Sequence, residues 1–128
     1  MRYMFMIYSQ ETPEGPSPEE TEFLMRNHRA VMEETAEKGI LVAVEKLRPT
    51  LTATSVRMSD AKPLITDGPF AETKEQLAGY YILDCRDLDE AIEWAKRIPT
   101  SCRGSRGGIE IRPVVDLPRR PVLDSERA

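Results

Sequence analysis

Arg2-Tyr3-Met4-Phe5-Met6-Ile7-Tyr8 opens the chain with seven residues, six of them apolar or aromatic, that supply bulk to both sides of any strand they form. Side chains alternate across a strand, so Tyr3, Phe5 and Ile7 take one face while Met4, Met6 and Tyr8 take the other. Two later stretches read the same way. Ile40, Val42 and Val44 alternate with Leu41 and Ala43, and Tyr81 and Leu83 alternate with Tyr80 and Ile82. A sheet built from these segments is apolar on both faces.

Only two helices are available to cover it. Ser17-Pro18-Glu19-Glu20 places a capping serine before a proline at the first helical position, with glutamate three residues after the cap. A helix is predicted from there to Lys38, ending at Gly39, where a left-handed residue can close it. At 100° per residue, Leu24, His28, Val31, Met32 and Thr35 share one side, which is expected to face the core. Asp87-Leu88-Asp89-Glu90 starts a second helix with Leu88, Ala91, Ile92, Ala95 and Ile98 on one face and Trp94 at its flank; Pro99 ends it.

Between the helices, Ile40–Glu45 and Leu51–Met58 read as strands joined through the Pro49 turn, most simply as a hairpin. Pro63–Thr66 adds a short edge strand, Gly79–Cys85 a clear one and Ile109–Val115 the last. The order is close to a ferredoxin-like split βαβ fold, an α+β class with an antiparallel sheet and both helices on one face. One domain over residues 1–117 is expected, followed by a flexible tail, 118–128. An uncovered apolar face built from three strands exceeds what monomers usually tolerate, so a homodimer through the open sheet face is expected.

Composition narrows the function classes. With 18 basic against 22 acidic residues and a net charge of −4, no global field attracts nucleic acid. The apolar runs are too short to span a bilayer and no signal-peptide pattern develops, so a cytoplasmic location without membrane association is expected. Cys85 and Cys102 fit neither a disulfide framework nor a zinc spacing, and no glycine-rich dinucleotide fingerprint follows a strand. Neither metal nor cofactor is expected.

Leu64-Ile65-Thr66-Asp67-Gly68-Pro69-Phe70-Ala71-Glu72-Thr73-Lys74-Glu75-Gln76-Leu77-Ala78-Gly79-Tyr80-Tyr81 resembles the signature of the DGPF-domain branch of the YCII-related family. Arg2–Tyr8, Asp87–Ile98 and Ile109–Val114 extend the likeness over nearly the whole chain except its tail; Ala78 departs from it, standing where the family commonly has a second glycine. The resemblance implies a dimeric α/β barrel of two ferredoxin-like subunits. Some relatives resemble lactone-processing or dehalogenating enzymes that use a His and Asp pair, and genes of the branch often neighbour those of extracytoplasmic-function sigma factors.

The candidate catalytic residues are His28 and Asp67. His28, the one histidine, sits within the apolar arc of its helix, either as a neutral core imidazole or as a general acid or base at a cavity between helix and sheet. Asp67 either accepts backbone N–H bonds in its turn or borders a pocket walled by Phe70. Tyr80 and Tyr81 must point to opposite faces, so at most one of them meets a ligand on a given side. Glu72, Lys74 and Glu75 read as a solvated face or dimer rim. Arg97, Arg103, Arg106 and Arg112 bracket a glycine-rich loop without phosphate-loop spacing, and Cys102 lies in it without a nearby histidine. Three functions follow: an acid–base enzyme for a small molecule, a ligand-binding or regulatory module linked to a sigma factor, and a dimer without chemistry.

Overall fold

The computed structural model describes residues 1–100 and 107–117. Its elements run β1 (Arg2–Ser9), α1 (Pro18–Glu37), β2 (Leu41–Lys46), a short 3-10 turn (Thr50–Thr52), β3 (Thr54–Ser59), β4 (Lys62–Asp67), β5 (Gln76–Asp84), α2 (Leu88–Ala95) and β6 (Gly107–Pro113). Four strands form an antiparallel sheet in the order β2-β5-β1-β6, and β3 and β4 form a separate two-stranded sheet. With the β3–β4 hairpin set aside, this is the ferredoxin-like α+β fold expected from the element order. Residues 118–128 and the loop carrying Cys102, Arg103 and Arg106 lie outside the described residues.

Helix starts obey the local rules. Ser17 Oγ accepts from the Glu20 amide while the Glu20 carboxylate accepts from the Ser17 amide, a full capping box. Gly39, at φ +74°, turns the chain out of α1, and its amide bonds back to the Ala36 carbonyl. Asp87 caps α2 through the Glu90 amide.

Both helices pack on one face of the sheet. The core there consists of Tyr3, Phe5 and Ile7 of β1, Tyr81 and Leu83 of β5, Val31 of α1, and Ala91 and Trp94 of α2, with Cys85 and Ile98 beside them. Thr35 is buried among them, its hydroxyl donating to the Val31 carbonyl, so its polar atom costs little there. The opposite face carries Met4, Met6, Tyr8, Tyr80 and Ile82, all partly exposed, and neither helix lies over it. The alternation read from β1 and β5 is therefore the alternation observed.

Three expectations are corrected. β2 does not form a hairpin with β3 but pairs with β5 across the sheet, and β3 pairs with β4. Asp60 and Ala61, at φ +49° and +62°, close β3 onto β4 through a two-residue loop, and Ser59 pairs with Lys62. Positive φ at both loop positions matches the right-handed twist of flanking strands, a geometry the longer Pro49-bearing link cannot supply. Register shifts between Leu41 and Ala43, so Val42 bulges out and the expected alternation of β2 breaks. On α2, Trp94 is core while Leu88 and Ile92 are exposed, because a turned stripe of Ala91, Trp94 and Ile98 buries the larger indole.

Candidate functional site

His28 stands on α1 over Tyr81 of β5. Its Nδ1 lies 2.9 Å from the Tyr81 hydroxyl, and the two rings stack with centroids 5.9 Å apart. The same hydroxyl lies 3.4 Å from the His28 carbonyl oxygen. A phenol has one proton to give. Both contacts are hydrogen bonds together only when Nδ1–H donates to Tyr81 and Tyr81 donates to the carbonyl, which leaves the lone pair on Nε2.

Nε2 is open. It bonds no described residue, and among the described residues no fully buried side-chain nitrogen or oxygen lacks a partner, so this atom is not fully buried. Burial, assisted by the ammonium of Lys46, lowers the His28 pKa below its ordinary value. At neutral pH the imidazole is therefore uncharged and able to accept a proton. Burial also pushes the Tyr81 phenol up to about 12, so Tyr81 stays protonated and serves as a fixed hydrogen-bonding post.

Tyr80 and Tyr81 point to opposite faces, as strand geometry requires, and only Tyr81 meets His28. Asp67 is not brought to His28: it is the last residue of β4, exposed, in the separate sheet, and no hydrogen bond or ion pair joins the two. The turn after it is made by Gly68, at φ +102°, whose amide donates to the Ala53 carbonyl and whose own carbonyl accepts from Ser55. Phe70 is exposed and lies under the Arg57 guanidinium, 3.6 Å from ring centroid to Cζ, on the hairpin side of the molecule.

Among the other charged candidates, one is held by structural partners. Arg97 pairs with Glu34, tying the end of α2 to α1, and lies over the Trp94 ring. That hydrogen bond holds the Glu34 carboxyl below its ordinary range. Arg112 sits on β6 opposite Met4, on the face away from the helices. Cys85 is buried, and burial raises its thiol to about 11, which makes it an inert core residue. Among the described residues no three His, Cys, Asp or Glu side chains converge to hold a metal ion.

Two surface concavities lie elsewhere. One, of about 380 Å³, is bounded by Tyr8, Thr73–Glu75 and Gly108–Glu110; the other, of about 600 Å³, follows α1 from Ala30 to Lys38. Neither is lined by His28 or Asp67. No helix among the described residues is long and apolar enough to cross a membrane.

What fold and site define together is a ferredoxin-like α+β domain with a histidine–tyrosine pair between its first helix and its sheet. The YCII-related domain model matches residues 1–118, and the chain belongs to that family. It is also similar to an uncharacterised protein of Rhizobium meliloti (strain 1021), 41% identical over 115 residues, which cover 89% of this chain and 92% of that protein.

Lys46 was missed in the sequence, where it read as the start of a turn. Only pairing with β5 places it on the face of His28, and that pairing is non-local.

Proposed function

We propose that this protein is a cofactor-independent enzyme that processes a small molecule by acid–base chemistry, with His28 as the base and Tyr81 as the residue that positions it. The observation that carries this reading is the arrangement of one imidazole, with Nδ1 tied to a buried phenol and Nε2 without a partner among the described residues; burial lowers the basicity of the ring. A base needs its accepting atom free and its ring held in one tautomer. In a hydrolysis, Nε2 would take a proton from water as the water oxygen bonds to a lactone carbonyl carbon. The same proton would pass to the departing ring oxygen as the ester C–O bond breaks, and the imidazole would end neutral.

The test uses the fact that His28 is the only histidine. Its ring resonances should titrate below the ordinary histidine range, and diethyl pyrocarbonate should modify it in the native protein. Turnover across a panel of small lactones and 2-halo acids should disappear in His28→Asn with an unchanged melting temperature, and fall in Tyr81→Phe. A protein in which His28→Leu folds more tightly, and which turns over no member of the panel by a His28-dependent route, would show the pair to be packing alone.

The face carrying Met4, Met6, Tyr80 and Ile82 supports assembly as a homodimer, sheet against sheet, in a dimeric α/β barrel. A second reading, a regulatory module that docks on a protein such as an extracytoplasmic-function sigma factor, is favoured by the β3–β4 hairpin. There Val56, Met58, Pro63 and Ile65 share one exposed face.

A further inference from the structure

Lys46 is the last residue of β2 and pairs with Gly79 of β5, two residues from Tyr81. Directly opposed residues share a face, and so do residues two apart on one strand. Lys46 therefore emerges on the helix-covered side, the side of Tyr81 and His28, while its neighbour Glu45, paired with Tyr80, takes the other. The lysine belongs to the site by topology.

Gly79 holds it there. A Cβ at this position would come within 2.6 Å of the Glu45 carbonyl oxygen and 3.3 Å of the Lys46 Cα. Any side chain at residue 79 would force the end of β2 away from β5 and carry Lys46 with it. The close approach of the two backbones, which only glycine permits, sets where the ammonium starts.

No carboxylate among the described residues pairs with Lys46. A cation on the histidine's side of the sheet, without a carboxylate partner among the described residues, is the wrong sign for holding an imidazolium and the right sign for holding an anionic guest. The ammonium acts on His28 across space, in keeping with the lowered basicity of the ring.

We propose that the His28 site takes small carboxylates, the anion held by Lys46 while the reacting part of the molecule is presented to Nε2. This rests on the reading of His28 as a base and adds to it a substrate class and a specificity residue. Lysine suits the role because it meets a carboxylate as a point charge on a flexible stem.

The probes are acetate, lactate and 4-oxopentanoate, each beside its methyl ester, titrated into the full chain and followed by the His28 ring and backbone amide resonances. The acids should move His28 and the amides around Lys46 and Tyr81, and the esters should not. Binding should weaken at least about tenfold in Lys46→Gln, a loss of about 1.4 kcal/mol, and survive in Lys46→Arg. Equal binding of acids and esters, indifference to Lys46→Gln, shifts confined to the cleft at Tyr8 and Lys74, or no binding at all would each overturn the proposal. The two readings separate cleanly. Neutral lactones turned over through His28, with no effect of Lys46→Gln, would remove the anion anchor and leave the base.

Discussion

β1 and the β3–β4 hairpin both alternate large apolar side chains, yet they meet opposite fates. Phe5 has no exposed surface, whereas Val56 and Ile65 keep 57% and 66% of theirs. The difference is in what the backbone is bonded to. β1 is a central strand, flanked by β5 and β6 and covered by two helices, so one of its faces is sealed. Among the described residues the hairpin pairs only with itself, and two strands cannot enclose anything. Alternation says which residues share a side; topology decides whether that side is dry.

Three variants probe this ranking of surfaces. On the helix-covered face, Phe5→Ala removes a fully buried ring surrounded by other core side chains. It should cost about 3–5 kcal/mol of unfolding free energy, measured by urea denaturation. A loss under about 1 kcal/mol would mean that this face is not the tight core the packing implies.

Ile82→Lys tests the face that no described helix covers. Ile82 lies between Met4 and Ala43 in register, at the middle of the sheet and partly exposed. In an isolated protomer a lysine there can reach water along its stem, and the cost should stay near 1 kcal/mol. In a sheet-on-sheet dimer the same lysine is trapped against its symmetry mate. Sedimentation at micromolar concentration should then show wild type as a dimer and the variant as a monomer. Wild type sedimenting as a monomer would withdraw the barrel.

Most of the fold is legible in sequence because most of its signals are local. Ser17 with Glu20, Asp87 with Glu90, Gly39 after α1 and the alternation of β1 and β5 each act within a few residues. Pairing of β2 with β5 is not of this kind. Some thirty residues separate the strands, and the intervening hairpin closes on Asp60-Ala61, a loop with positive φ but no glycine to announce it. The site divides along the same line. His28 is visible as a polar residue in an apolar arc, and Tyr81 as one of two tyrosines forced onto opposite faces. Lys46 depends on non-local pairing, and Asp67 stood out for its motif although the topology sets it in another sheet.

The smallest effect is expected in the hairpin. Val56 and Ile65 face each other across β3 and β4 on the exposed side. The paired change Val56→Thr/Ile65→Thr keeps β-branched side chains that suit strands and removes mostly apolar surface already in water. Unfolding free energy of the protomer should change by less than about 0.5 kcal/mol. The informative outcome is a separation of readouts. If the double variant folds and sediments like wild type but no longer co-purifies with a neighbouring sigma factor that wild type captures, the hairpin is a docking arm, exposed because its partner is another protein. If instead the protomer loses several kcal/mol, the stripe is covered within the chain's own assembly, and the contrast between sheet and hairpin disappears.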